Sequence, residues 1–447
     1  MLKYVNYKER LLMKFELHSV DGVSVKSDFS GFHKLKLNER LAIIKKLKKL
    51  SSKEVAELIN SGSLDMDIAD IMIENVIGVT HIPLGVAMNF RINGKDYVIP
   101  MAIEEPSVVA AASHSAKLAR ANGGFTADAD EPIMIGQIQL VGVKDYEKVK
   151  GIIMSKRDNI IKTANGKDSV MFNLGGGVKD IEVRKVETER GTMTIVHLLV
   201  DVRDAMGANS VNTMCETVSP YLEELTGTKA RLRILSNLAI YRKARATATW
   251  RKEDIDEDVI EGILDAYHLA LNDPFRCATN NKGIMNGIDA VLIATGNDFR
   301  AAEAGAHSYA SLGGYKPLAE YKKDKKGNLI GSIEVPLPVG LVGGATKTNP
   351  IARIALKILD IKSAKELACI AACVGLANNF AALRAMIKEG IQKGHMKLHA
   401  KNIAIMAGAQ GNDIYEIAAR MIQEGNISVS RAIELVKLYR KATRKRH

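Results

Sequence analysis

A chain of 447 residues with 47% hydrophobic and 26% charged residues is long enough for two or three domains around a large core, which excludes a disordered or fibrous protein. The N-terminal MLKYVNYKERLLMKFELHSVD is broken too often by charge to be a signal peptide, and no run approaches the roughly 20 apolar residues a bilayer needs, so a cytoplasmic protein is expected. The net charge of +12 falls to 12 − 5 = +7 without Arg440, Lys441, Arg444, Lys445 and Arg446, and with only 5% aromatics there is nothing for bases to stack on, so nucleic-acid binding is disfavoured.

In chain order, the first clear helix is PSVVAAASHSAKLARANG. Pro106 suits its first position and Asn122-Gly123 its stop, so Glu105 is expected just before a helix N-terminus. From residue 131, IMIGQIQLVGV alternates like a strand and KDYEKVKGIIMSKRDNIIKTANG has helical spacing. DIEVRKVE and TMTIVHLLVDVRD read as two strands, NSVNTMCETVSPYLEELTG as a helix that Pro220 bends, and ARLRIL as a last strand. This β-α-β-β-α-β order is that of a ferredoxin-like split unit bounded at 131 and 236. The remainder reads as mostly helical: residues 256–272, a helix opened by Asn349-Pro350, and a long apolar helix that starts at the capping box Ser363–Glu366 and ends near Gly390. GIQKG (390–394) reads as a hinge, and 391–447 as a small helical unit.

Cys215, Cys277, Cys369 and Cys373 form no CxxC pair and read as packed free thiols. His395 and His399 share one helical face, but Met396 stands where a zinc protease needs glutamate, so no metal is expected. His395 reads instead as a proton donor on a moving segment, and His399 as packed or orienting. GLVGGATKTNP (340–350) is not a P-loop, because Thr346 precedes Lys347 where glycine is required. DAMGAN (204–209) leaves a strand for a helix and offers backbone amides to phosphate. In DPFRCATNNKGIMNGIDAVLIATGND (273–298), a packed Lys282 beside Asp298 is either an electrophilic stabiliser for an oxyanion or a structural ion pair.

EEPSVVAAAS (104–113), DAMGAN, NNKGIMNGID (280–289), ATGND (294–298), GLVGGATKT (340–348) and GHMKLHAKNIA (394–404), with ENVIG (74–78), occur in one order that closely resembles the class II 3-hydroxy-3-methylglutaryl-coenzyme A (HMG-CoA) reductases, from about Ser30 to Tyr439. The resemblance implies an α+β fold. It would hold a large, mostly helical substrate domain (1–130 and 237–390), an inserted ferredoxin-like, non-Rossmann cofactor domain (131–236) and a C-terminal flap (391–447). It implies four-electron reduction of the HMG-CoA thioester to mevalonate and coenzyme A by two NAD(P)H, or the reverse oxidation. Thioester hydrolysis or transfer without redox chemistry is the alternative.

By the same resemblance Glu105, Lys282, Asp298 and His395 are catalytic: the lysine stabilises each oxyanion, the histidine protonates the coenzyme A thiolate, and the glutamate donates a proton to the aldehyde oxygen. A proton-donating Glu105 requires burial close to Asp298. Ser107, Arg276 and Asn286 would hold the hydroxymethylglutaryl group, the arginine pairing with its carboxylate. Asp204, Met206 and Asn209 would contact the cofactor. Asp168 in GKDSV would accept from a ribose 2′-OH, favouring NADH with NADPH as the alternative, although Lys167 softens the exclusion of phosphate and Val170 departs from the expected leucine. ENVIG resembles a dimer-contact motif, so a homodimer with its active site at the interface is expected, with a hexamer as the larger alternative.

Overall fold

The computed structural model describes residues 27–29, 31–60, 64–166, 172–344, 348–388 and 391–444. Helices α1 (Leu37–Lys48), α2 (Ser52–Ile59) and α3 (Met66–Met72) come first. A reciprocal capping box starts α2: the Ser51 hydroxyl accepts from Glu54 N–H and the Glu54 carboxylate from Ser51 N–H. Strands β1 (Leu84–Ile92) and β2 (Lys95–Ala102) form a hairpin through Asn93-Gly94, both at positive φ (48° and 81°), as a two-residue hairpin turn requires. Then follow α4 (Val108–Arg120), β3 (Phe125–Ala129), β4 (Ile133–Val141), α5 (Tyr146–Ser155), α6 (Arg157–Asn165), β5 (Gly177–Thr188), β6 (Gly191–Asp201), α7 (Ala208–Thr226) and β7 (Lys229–Ser236). The next elements are β8 (Lys243–Trp250), α8 (Glu257–Asn272), α9 (Pro274–Ala294), α10 (Phe299–Ala310), β9 (Ala319–Lys323) and β10 (Leu329–Pro336). Helices α11 (Pro350–Leu359), α12 (Ala364–Lys388), α13 (Ile391–Met406), α14 (Asp413–Glu424) and α15 (Val429–Arg444) complete the chain.

The strands form two sheets, one inside the other in sequence. The outer sheet has six strands in the order β2-β1-β3-β8-β10-β9, and the inner has four in the order β5-β6-β4-β7, each antiparallel to its neighbours. The inner order is what two interleaved β-α-β units produce, and its apolar face is covered by α5, α6 and α7 through Ile153, Ile160, Val211, Met214 and Leu222. Pro220 lies inside α7, which runs on past it.

Four features depart from the sequence reading. The large unit carries, beside its helices, a six-stranded sheet that the sequence reading did not name. β8 escaped notice because three of its four buried positions, Ala244, Ala246 and Ala248, are alanines, which carry little strand signal, and only Trp250 at its end carries more. The 144–166 segment is two helices, broken at Lys156 (φ −111°, ψ 16°). Helix α4 starts at Val108 rather than Pro106, because Ser107 adopts a left-handed φ of 81°. Helix α12 is long and apolar enough to cross a bilayer, yet 89% of its most apolar window is buried inside the protein. At its start one half of the expected box is present, since Ser363 Oγ accepts from Glu366 N–H, while the glutamate accepts from Lys362 N–H instead.

The core centres on α12, where Phe380 stacks on Trp250 of β8 with centroids 3.9 Å apart. Helix α9 crosses α12 at glycines on both sides. A Cβ on Gly375 would stand 2.9 Å from Ile288 Cγ1, and one on Gly287 would stand 2.9 Å from the Val374 carbonyl oxygen and closer still to Asn378. Helices α13, α14 and α15 have their own small core of Ala400, Ala404, Ile417, Met421 and Leu435. Gly394 lies within helix α13 rather than in a break, and Gly390 lies outside the described residues. Because backbone at the α9–α12 crossing cannot yield, Gly287→Ala should lower unfolding free energy by about 1–3 kcal/mol, measured by urea denaturation.

Candidate active site

Helix α9 begins with Asp273, whose carboxylate accepts from Arg276 N–H at 2.8 Å, followed by Pro274 at the first helical position. The whole polar stretch from Pro274 to Ala294 is therefore one helix. Lys282 and Asn286, one turn apart, project from it toward the loop after β2. There Lys282 Nζ donates to Glu105 Oε2 at 3.1 Å and Asn286 Nδ2 donates to the same oxygen at 3.4 Å. Three residues expected at one site thus converge. Lys282 is 61% exposed and Glu105 33% exposed, so the ammonium faces open space with one carboxylate behind it.

Asp298 does not join this group within one chain, and Glu105 is not buried against it as expected. The Asp298 carboxylate caps α10, accepting from Ala301 N–H at 3.1 Å, with Arg300 Nη2 3.4 Å away. A carboxylate at a helix start is held by the unpaired N–H groups there, which fixes its direction. Arg276 is partly buried and its guanidinium has no anionic partner among the described residues; burial lowers its pKa. Ser107 sits beside Glu105 with a backbone conformation that non-glycine residues rarely adopt, a strain that tends to collect at functional sites.

The motif loops DAMGAN, ATGND and GLVGG are tied together. Leu341 N–H donates to the Asp204 carbonyl at 2.8 Å and Gly340 N–H to Asn297 Oδ1 at 2.7 Å. A Cβ on Gly340 would stand 2.6 Å from Met206 N. Arg242, only 6% exposed, donates to the carbonyls of Ala205 (3.1 Å), Met206 (3.2 Å) and Val339, and its burial pulls its pKa down to about 10. Asp204, assigned by resemblance to the cofactor, has a structural contact here: its Oδ1 accepts from Ala364 N–H at the start of α12, at 2.7 Å. Gly207, at φ 97°, opens α7 with no side chain capping the helix start, and exposed Asn209 lies in the first turn. The uncapped amides of a 19-residue helix suit a phosphate, so this loop fits the dinucleotide implied above.

Asp168, with Lys167 and Val170, lies outside the described residues, as do the side chain of His395 and residues 345–347. His395 occurs in the first turns of α13, and His399, one turn on, is partly buried. All four cysteines are free thiols; burial pushes Cys215 up to about 12 and Cys369 up to about 11. Among the described residues no three His, Cys, Asp or Glu side chains are grouped to hold a metal.

Sequence reading missed one feature. A cavity of about 900 Å³ lies between the N-terminal helices, β1 and α4, lined by apolar Phe32, Ile44 and Val109 and by Arg40, His114 and Lys117. It reaches Val109 and Ala110, the first turn of the helix that follows Glu105. The basic and polar residues of SHSAK at helical spacing carried the signal, but only the packing of α1 against α4 makes them the wall of a cavity.

Residues 36–400 match the family described as hydroxymethylglutaryl-coenzyme A reductase. The chain is 56% identical over 418 residues to the 3-hydroxy-3-methylglutaryl-coenzyme A reductase of Archaeoglobus fulgidus, across 93% of this chain and 96% of that protein. It is 38% identical over 345 residues to a probable reductase of the same name from Borreliella burgdorferi, across 74% of this chain and 77% of that one. Among solved structures, the Streptococcus pneumoniae reductase superposes with a TM-score of 0.79 at 37% identity, across 92% of this chain and 99% of that one. The class II reductase from that organism bound to NADPH in open conformations gives 0.77 at 38% identity, across 91% and 100%. With this likeness over nearly its whole described length, and with Glu105, Lys282 and Asn286 gathered at one oxygen, the chain belongs to the class II hydroxymethylglutaryl-coenzyme A reductase family.

Proposed function

We propose that this chain reduces the thioester of HMG-CoA to mevalonate and free coenzyme A, with two NAD(P)H and two protons consumed and two NAD(P)⁺ formed. The observation that carries this reading is the shared Glu105 oxygen between Lys282 and Asn286 on a chain of this family. Thioester hydrolysis or transfer would leave reduced nicotinamide unconsumed, which separates it from this reading in a single assay. The reduced nicotinamide supplies two electrons at each of the two reductive steps.

This chain's residues do the rest. Lys282 meets the negative charge that appears on the carbonyl oxygen at each reduction, by charge and by hydrogen bond, in a place where it needs no rearrangement. Glu105 holds the ammonium in place. Once the second copy brings Asp298 to it and takes it out of water, it hands a proton to the aldehyde oxygen. Arg276, half buried and without an anionic partner among the described residues, binds the free carboxylate of the substrate. The coenzyme A arm lies in the cavity beside α4, where Arg40 and Lys117 face its phosphates. His395 protonates the departing thiolate, carried by residues 391–447 acting as a flap. Residues 131–236 form a ferredoxin-like cofactor domain inserted into the larger domain of 1–130 and 237–390. Asp204, Met206 and Asn209 contact the cofactor, and Asp168 makes NADH the preferred one.

The working unit is a homodimer in the cytoplasm. Residues 66–82 are an apolar surface on one chain, with Ile71 87%, Ile73 64% and Ile77 101% exposed, and a second copy covers it. Asp298 then joins Lys282 from the second copy, which accounts for its absence from the group within one chain.

Three outcomes test the reading. Nicotinamide absorbance should fall when HMG-CoA is added, with the higher kcat/KM for NADH; no change with either cofactor sinks the reading, and a clear preference for NADPH sinks the assignment of Asp168. Lys282→Met should lower kcat by about 10²–10³-fold while KM moves little. Mixing the Lys282→Met and Asp298→Asn chains after dissociation should restore about one quarter of wild-type activity, because half of the random dimers carry one intact site; no recovery places both residues in one chain.

A further inference from the structure

Asp289 lies on α9 seven residues after Lys282 and three after Asn286, so the three side chains leave the axis within about 60° of one another. It plays no part in the chemistry above. Its carboxyl is hydrogen-bonded to that of Glu303 on α10, while its Oδ1 is wholly buried with no partner among the described residues. Glu303 Oε2 lies 2.9 Å from His307 Nε2, and His307 Nδ1 lies 2.8 Å from the Tyr315 hydroxyl. Tyr315 lies beside Asn281 of α9, in the loop that follows α10. Asn281 also accepts from Leu318 N–H and donates to the Lys316 carbonyl, both at 3.0 Å. These contacts leave α9 at residue 289, cross α10 and return to α9 at residue 281 through the loop that carries Tyr315, Lys316 and Leu318. The loop they close brackets the turns that carry Lys282 and Asn286.

We propose that Asp289, Glu303, His307 and Tyr315 form a proton-dependent clamp that sets the position of Lys282, with Asp289 the positioning residue that holds the shared proton. The inference rests on the reductase reading for its kinetic effect but not for the clamp itself. Two carboxyl groups in contact cannot both be ionised without a large repulsion, so one keeps a proton. His307 holds Glu303 below its ordinary range, and burial, with Glu303 adding to it, pushes Asp289 up to about 8. The proton is therefore on Asp289, and a neutral acid tolerates a buried orphan oxygen that a carboxylate would not. The groups facing the pair are Glu303 and His307 from α10, Tyr315 from the following loop, and Cys277 and Asn281 from α9, with Lys316 beside Cys277.

The sign of the pH effect follows. An acid whose folded pKa is raised contributes stability that is complete below its unfolded value of about 3.9 and is gone once the pH has risen through about 8. Above that, two negative charges push α9 from α10 and Lys282 moves. Wild-type kcat should fall about tenfold one pH unit above the Asp289 value, from this site. Asp289→Asn keeps a donor toward Glu303 without a proton to lose. It should stay within about threefold of wild type near neutral pH and show no alkaline fall of this origin. Asp289→Ala, with no donor, should lose about tenfold in kcat near neutral pH with KM little changed.

The test is the pH profile of kcat for the three proteins, with the infrared carboxylic-acid band in the wild-type minus Asp289→Asn difference spectrum as a readout that needs no activity. The band should be present near neutral pH and vanish above the Asp289 value. Superimposable pH profiles for wild type and Asp289→Asn overturn the proposal, as does an ionised Asp289 near neutral pH. A wild-type protein that shows the band but reduces no HMG-CoA keeps the clamp and defeats the reductase reading instead.

Discussion

The closeness of α9 to α12 is the constraint on which the rest depends. Helix α12 is the most deeply buried helix of the core, pinned by the Trp250–Phe380 stack and by the six-stranded sheet. Helix α9 takes its place from it because Gly287 and Gly375 leave no Cβ at the crossing. Two backbones in direct contact have little freedom to slide, since the contact is backbone and helix-internal atoms rather than flexible side chains. Lys282 and Asn286 leave α9 from the same stretch that makes this contact. Their aim at Glu105 thereby inherits the rigidity of the core, although the ammonium itself stands open to solvent.

The three motif loops show the same economy in a different form. Asp204, Asn297 and Gly340 are bound to one another or to α12 by the protein's own hydrogen bonds. Arg242 supplies donors to three carbonyls that loops in this position would otherwise leave unpaired. The result is a helix start at α7 presented by a framework that is already assembled, so binding a phosphate there does not have to order the loop first.

Much of this was legible in the amino acids, for physical reasons that differ from element to element. The inner unit was readable because its strands alternate and its helices have long apolar faces, and Asn349-Pro350 marked a helix start through chemistry local to two residues. Lys282, Glu105 and Asn286 were found because the motifs around them are long and ordered. The six-stranded sheet was hidden by alanines that are inward-facing in β8, and the break at Lys156 by apolar spacing that continues in phase across it. Asp298 stands apart from Lys282 within one chain, where it caps α10, and a lone sequence does not say which chain a residue serves. Asp289, Glu303 and His307 carried no signal at all: their meaning depends on α9 lying beside α10, a tertiary fact.

The joint between the two sheets has one further bearing on how the molecule behaves. The chain enters the inner unit after Asp130 and leaves it before Lys243, and both ends are held at Arg245, which pairs with Asp130 at 2.7 Å and Glu334 at 2.6 Å, while Lys243 N–H donates to Asp130. Buried Arg242 sits at the same exit. Swinging the inner unit outward as a rigid body would take the Ala205 and Met206 carbonyls away from Arg242, leaving a charge nearly inaccessible to water short of two partners. An outward swing of the inner unit is therefore costly at this exit, and raised salt, which loosens exposed ion pairs first, should leave buried Arg242 in place.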